Sequence, residues 1–285
     1  MKIAVDPTMI RHLSLTDMVR TVADLGYEYI ELSPRDDFMP FFVHPRADAD
    51  RIKELKAALD ETGVKIASVL PLYKWSGPDE DERQAAVRYW KRAIEITAEL
   101  GVDQMNSEFN GRPEKAAESE AQFWRSMEEL LPIFESEGIA LNLEPHPDDF
   151  CEEHEAGLNL VRAINKPWVK YVYCAPHTFH VSNGKGNVGE MLRSAGDKLA
   201  HLHLADSFNP MASSGLRYIL NPPGTTARIH QHLDIGQGEV NWDEFFTTLR
   251  EIKFDGIATV AVFAWEERAL ESFKFNLDRV RQELA

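Results

Sequence analysis

Cysteine is nearly absent from this chain. Cys151 and Cys174 are the two in 285 residues, too few and too far apart for a disulfide framework or a thiolate zinc site. No apolar stretch approaches the ~20 residues of a membrane-spanning helix. The start, Met1-Lys2-Ile3-Ala4-Val5-Asp6, meets an acidic residue after three apolar ones and lacks the apolar core of a secretory signal. Positive charge is scarce: 31 Lys and Arg against 47 Asp and Glu leave a formal net charge of -16. That balance argues against a nucleic acid or an anionic membrane surface as partner. It leaves room for a small anion held by a local Arg or Lys pair. After the first apolar segment, Asp6-Pro7-Thr8-Met9 contains no glycine-rich phosphate turn. Together these absences predict a cytoplasmic protein.

What the chain does have is rhythm. Short apolar runs at Lys2–Asp6, Tyr27–Leu32, Val64–Leu70, Val102–Asn106, Ile139–Glu144, Trp168–Cys174, Leu199–Ala205 and Gly256–Val262 read as strands. Between and after them lie stretches of helical spacing at Leu15–Leu25, Ala47–Thr62, Glu80–Leu100, Glu114–Glu137, Ala156–Ile164, Val188–Ala195, Asn241–Ile252 and Glu266–Leu284, many closed by glycine. Strands that alternate with helices pair in parallel, because a parallel crossover carries a helix. Eight such units in 285 residues predict an α/β fold, one (β/α)8 TIM barrel domain spanning residues 1–285. The connection from Asp206 to Asn241 is about 36 residues long. A loop of that length in a compact domain is usually functional.

A barrel of this kind builds its site from the C-terminal strand ends. In chain order these are Asp6, Glu31, Tyr73 with Trp75, Glu108, Glu144 with His146, Cys174 with His177, and His203 with Asp206; the eighth strand ends in Ala261-Val262-Phe263. His201 and His203 share one strand face and can both point inward at different depths. One Glu with two or three His is a donor set for a divalent metal. Cys174 reads as a small buried side chain, Asp148, Asp149, Glu152 and Glu153 as a solvated acidic loop, and Trp75 and Phe263 as a hydrophobic rim. The Trp75–Trp90 segment reads as an apolar face suited to a partner subunit or a second copy.

Glu144, the Pro176-His177 turn, the run His201-Leu202-His203-Leu204-Ala205-Asp206 and the turn Leu233-Asp234-Ile235-Gly236-Gln237-Gly238-Glu239-Val240-Asn241-Trp242 resemble the sugar phosphate isomerase/epimerase superfamily, the xylose-isomerase-like barrels. The resemblance covers essentially the whole chain. It implies a divalent metal held by Glu, Asp, His and Glu from four strands, with two carboxylates moving a proton between adjacent sugar carbons. The chain departs from that pattern at Cys174, where an Asp is expected, and at Ala261, where the last Glu is expected. Glu144 and His203 therefore carry over as ligands, with His146 and His177 as the nearest replacements. His146, His177 and Glu108 are the candidate acids and bases; a histidine that binds metal through one nitrogen is poorly placed to be the base as well.

The segments Ser76–Asp81, Ala86–Ala93, Glu144–Phe150, Gly215–Tyr218 and Asn221–Gly224 also resemble a narrower group, the C-deglycosylation enzyme α subunits and inositol-catabolism isomerase-like proteins. That resemblance implies cleavage of the carbon–carbon bond between a 3-oxo sugar and an aromatic aglycone, manganese as the metal (zinc, cobalt, magnesium or iron as alternatives), a small β subunit and an oligomeric assembly. Isomerisation or epimerisation of a sugar or inositol derivative is the second expectation, and a non-catalytic scaffold subunit the third. A metal-dependent nuclease needs a basic face that a charge of -16 does not suggest.

Overall fold

The computed structural model describes residues 1–208 and 230–284. Among them, eight strands close into a barrel: β1 (Lys2–Val5), β2 (Tyr29–Leu32), β3 (Lys65–Val69), β4 (Gln104–Glu108), β5 (Ala140–Glu144), β6 (Val169–Cys174), β7 (Leu199–Leu204) and β8 (Ile257–Val260). Every neighbouring pair is parallel, and β1 closes on β8 through the register Lys2↔Ile257 to Val5↔Val260. All eight C-terminal ends therefore open on one face.

The helices are α1 (Leu15–Asp24), α2 (Ala49–Thr62), α3 (Glu80–Glu99), α4 (Ala116–Glu137), α5 (His154–Ile164), α6 (Ala175–Val181), α7 (Val188–Ala195), α8 (Trp242–Glu251) and α9 (Ala269–Leu284). Their starts follow local chemistry. Ser14, Asp48, Asp79, Asn187 and Asn241 each accept a backbone N–H of the first turn through the side chain, satisfying donors the helix leaves unpaired. α2 stops at Gly63, whose φ of 76° suits a residue without Cβ. One helix differs from the sequence reading: Ala175–Val181, expected as a turn, is helical, because Pro176 sits in the first turn where its missing N–H costs nothing. Among the described residues no helix is long and apolar enough to cross a membrane.

Trp75 is not a rim residue, and the Trp75–Trp90 segment offers no exposed apolar face. The two indoles stack at 4.3 Å, both fully buried, with their N–H groups donated to the carbonyls of Phe109 and Tyr73. Satisfying the indole N–H is what lets so large a ring go completely inside. The large exposed apolar side chains include Phe41, Phe42 and Val43, in the connection from β2 to α2. Gly215–Tyr218 and Asn221–Gly224, with most of the long connection after β7, lie outside the described residues.

Where that connection returns, the chain is pinned by carboxylates. Asp206 Oδ1 accepts from the backbone N–H of Ser207 and Val240, and Oδ2 from the Gly236 N–H and the Trp242 indole. Asp234 accepts from Ser272, Asn276 and Arg268 of the last helical segment. Gly238 lies so close that a Cβ there would run into Asp206 Oδ1 and the Ser207 carbonyl. Gly238 of the Leu233–Trp242 turn is thus explained by close approach to Asp206 and Ser207, and Asp234 by the three side chains it accepts from. Gly238→Ala should cost more than about 2 kcal/mol in urea denaturation, since backbone rather than a mobile side chain must yield. A midpoint equal to wild type would contradict this placement.

Candidate metal centre at the barrel mouth

β5 delivers Glu144 to the mouth, β7 delivers His203, and β6 runs straight into α6 so that His177, three residues past Cys174, turns back over the strand end. The three side chains meet. Glu144 Oε1 lies 2.6 Å from His177 Nδ1, and Glu144 Oε2 lies 2.6 Å from His203 Nδ1. Glu144 Oε1 and His177 Nδ1 are both buried and neither makes a hydrogen bond. A buried carboxylate oxygen and ring nitrogen in such contact without an aligned hydrogen bond need a shared proton or a cation between them.

Behind His203 sits Glu31, from β2 across the barrel. Its Oε1 accepts from His203 Nε2 at 2.8 Å, and Oε2 accepts from the Ser68 hydroxyl at 2.6 Å and lies 3.1 Å from His201 Nε2. Asn106 donates to Glu31, Asn142 to Asn106 at 2.8 Å, and His201 Nε2 is 2.7 Å from the Thr259 hydroxyl. The layer below the mouth is therefore polar, in a position such barrels usually fill with branched apolar side chains. Burial would raise the pKa of Glu31, but His203 and His201 hold it far below the ordinary carboxylate range. Burial likewise opposes ionisation of Glu144, and His203 and His177 again reverse the sign, holding it well below the usual value. His203 shows the converse: burial lowers it, but the carboxylates of Glu144 and Glu31 on either side raise it well above the ordinary imidazole value.

Of the five residues singled out by sequence, Glu144, His177 and His203 form this triad, and His146 and Glu108 stand beside it. His146 Nε2 is 3.7 Å from Glu108 Oε1, and its ring packs edge-on against His177 at 4.5 Å. Asp149 is buried, not part of a solvated loop: its Oδ2 accepts the Asn110 N–H at 2.6 Å. Oxygens of Glu108 and Asp149 and a ring nitrogen of His146 lie within 4.8 Å of one another. Burial raises both carboxyl groups, and repulsion from Glu108, then Glu144, raises Asp149 further, so the pair retains a proton more readily than isolated acids do. Cys174 is buried beside Glu144 and His203; burial, then Glu144, pushes its thiol well up, in keeping with the small buried side chain expected of it. The sequence reading named Glu31 as a strand end but did not give it a role, and it gave none to His230 or His232, which lie over the same cavity.

That cavity has a volume of about 330 Å³ and is lined on its floor by Glu108, Glu144, His146, His177 and His203. Its remaining lining mixes the apolar Leu70, Leu72, Phe41 and Phe263 with the charged Arg11 and Glu266; Phe41 is 42% and Phe263 39% exposed. Phe263 is thus the rim residue that Trp75 is not. The size suits a small molecule rather than a polymer.

The donors suit a divalent cation: Glu144 with Cys174 and His203, and His146 with His177 and His230, each bring one ligand atom apiece within 4.8 Å of one another, and Glu144 joins the two sets through its contact with His177. Charge counting agrees: Glu31 and Glu144 as carboxylates with two neutral imidazoles sum to -2, which one divalent cation brings to zero. His203, with Glu31 behind it, has the arrangement by which an outer carboxylate orients a metal-binding imidazole.

Residues 19–278 match the family described as "Xylose isomerase-like TIM barrel". The chain belongs to this family. It is 22% identical over 258 residues to D-psicose 3-epimerase of Ruminiclostridium cellulolyticum, covering 86% of this chain and 77% of the relative. In three dimensions it resembles the IOLI protein solved with a bound zinc atom, with a TM-score of 0.78, 19% identity and coverage of 100% of this chain and 98% of the other. It also resembles 3-keto-D-glucoside 4-epimerase from E. coli, with a TM-score of 0.71, 17% identity and 99% of both chains covered.

At the end of β1, Asp6 is buried, and loss of water pushes its carboxyl up to about 6 despite hydrogen bonds from Ser33 and Thr8. An unfolded Asp titrates at about 3.9. A folded value above the unfolded one favours the fold at acidic pH, and that contribution is lost as pH rises through about 6. Asp6→Asn keeps the acceptor and removes the charge. In chelator-treated protein it should be the more stable form at pH 8, by on the order of 3 kcal/mol, with the advantage gone at pH 4. Denaturation curves that coincide at pH 8 would contradict this.

Proposed function

We propose that the protein is a metal-dependent enzyme that removes a proton from the carbon next to a sugar ketone, and that it works as a keto-sugar or cyclitol-ketone isomerase or epimerase. The observation that carries this reading is the pair of buried, unsatisfied atoms Glu144 Oε1 and His177 Nδ1, with His203 completing the set and His146 alongside. A divalent cation held by Glu144, His177 and His203 would supply Lewis acidity at a ketone oxygen. Manganese is the first choice from the narrower resemblance; zinc, cobalt, magnesium and iron suit the same donors.

In this reading His146 is the base. It lines the cavity, lies outside the triad, and carries a ring nitrogen free to take a proton from a bound substrate. Glu108, 3.7 Å from it, receives or returns that proton. The apolar side chains beside the site limit direct protonation of the carbanionic carbon by bulk water, while the His146 side chain, 23% exposed, exchanges its proton with solvent. Proton transfer between adjacent carbons can be carried by one base on one face, whereas inversion at a carbon requires donors on both. Ala261, where the family's second carboxylate is expected, thus favours one-face transfer over a symmetric pair of carboxylates. The epimerase names of the similar proteins support a sugar ketone as the substrate class.

A specific observation keeps a second reading. Elimination of an aromatic aglycone from a 3-oxo-C-glycoside needs an apolar slot beside the sugar, and Phe41, Phe263, Leu70 and Leu72 form one. It needs one base and one proton donor, which His146 and Glu108 provide. The narrower resemblance adds a small β subunit to that reading.

The test is solvent exchange. Wild-type protein loaded with Mn²⁺ should introduce deuterium from D₂O next to the ketone of a keto sugar or 3-oxo-glucoside. His146→Asn should slow that exchange by roughly 10²–10⁴-fold without releasing metal, and Glu144→Gln or His203→Ala should lose the metal itself. Phenol release from a 3-oxo-C-glycoside, with and without a candidate small subunit, separates elimination from isomerisation. No exchange into any of these ketones by a metal-loaded wild type would sink the proposal.

A further inference from the structure

We infer that His232, on the chain returning to β8, is a positioning residue that fixes which nitrogen of His177 faces the centre; the inference rests on the metal centre proposed above. His232 is buried and clamped to the end of the eighth strand. Its carbonyl accepts the N–H groups of Phe263 and Ala264, its ring stacks on Phe263 at 4.6 Å, and its Nδ1 lies 2.6 Å from the carbonyl oxygen of Ala261. Its Nε2 faces His177 Nε2 at 3.0 Å. The far side of the His177 ring, Nδ1, meets Glu144 Oε1.

Proton counting decides the arrangement. The row Ala261 carbonyl, His232, His177, Glu144 has three gaps, and two neutral imidazoles bring two protons. A carbonyl oxygen only accepts, so the His232 proton is on Nδ1 and its Nε2 is bare. The hydrogen bond between the rings then requires His177 Nε2 to donate. His177 Nδ1 is left bare against a carboxylate oxygen. That last gap is the one in which both atoms lack a hydrogen bond, so the geometry and the count agree.

His177 and His203 thus present the same nitrogen, Nδ1, to Glu144, each with its Nε2–H tied behind. For His203 the tie is Glu31; for His177 it is a second imidazole anchored on backbone. The tie reaches the end of β8 at Ala261, the position that lacks the carboxylate its resemblance would place there. His232 would not touch the cation. It would act through His177 by holding the tautomer and the ring plane.

Zinc-loaded wild type labelled with ¹⁵N at histidine should show, in two-bond ¹⁵N–¹H correlation, His177 with its proton on Nε2 and a metal-shifted Nδ1. In Co²⁺ titration followed by visible absorption, His232→Leu should weaken binding about 10–100-fold. His232→Gln, whose side-chain oxygen can accept the Nε2–H, should recover most of that loss. A His177 proton found on Nδ1, or a folded His232→Leu that binds Co²⁺ like wild type, overturns the inference and leaves the centre standing. A wild type that takes up neither metal overturns both. The wild-type spectrum decides the point even where His232→Leu does not fold.

Discussion

A buried carboxylate on the barrel axis sets the terms for everything above it. Glu31 is fully inside, and an unpaired charge there would cost several kcal/mol. It is matched from four directions: His203 and His201 on β7, Ser68 on β3 and Asn106 on β4. Removing one partner leaves a charge uncompensated, so the strands that bring them are held in one relative register. The polar layer is both a structural constraint and the foundation of the site, because the residue that neutralises Glu31 from above is His203, whose other nitrogen faces Glu144. The position of the mouth residues is thus inherited from the interior.

Much of this architecture was legible in the chain. Eight apolar runs separated by amphipathic stretches with capping Asp, Ser or Asn and terminal glycines lead to one parallel closed sheet, and once the barrel is assumed, its strand ends select Glu144, His177 and His203. α6 escaped because seven residues with a proline and two histidines are too short to show an amphipathic period. Glu31 was visible as a strand end, yet its partner His203 is 172 positions away, and nothing in a linear reading measures which strands face each other across a barrel. Trp75 reads from the sequence as a rim residue; the stacked Trp90 fifteen residues later and the Phe109 carbonyl that receives its N–H appear only in three dimensions. Asp149 was misread for a similar reason, since its acceptor role depends on the backbone of Asn110.

His232 illustrates a different limit. Loop residues carry no periodicity, so a histidine near the end of a long connection has no sequence signal that separates it from solvent-exposed neighbours. Its placement follows from two close approaches, the Leu233–Asp206 bridge and the contacts with Phe263 and Ala264. The glycine and carboxylates of the Leu233–Trp242 turn, conspicuous in the sequence, are what bring the chain back at that height. A motif outside the residues that line the cavity thereby bears on which ring stands over it.

His203 lies between two carboxylates, and both raise its pKa well above the ordinary imidazole value, which favours the protonated ring when nothing else compensates them. For the proposed centre this separates folding from cation capture in time. There a proton would stand in the gap that the cation fills, so the two carboxylates are compensated in either state. Loading would then be an exchange in which a hydrogen ion leaves as the cation arrives, and the acidity of the surroundings would join metal abundance in setting how much of the protein carries the cation.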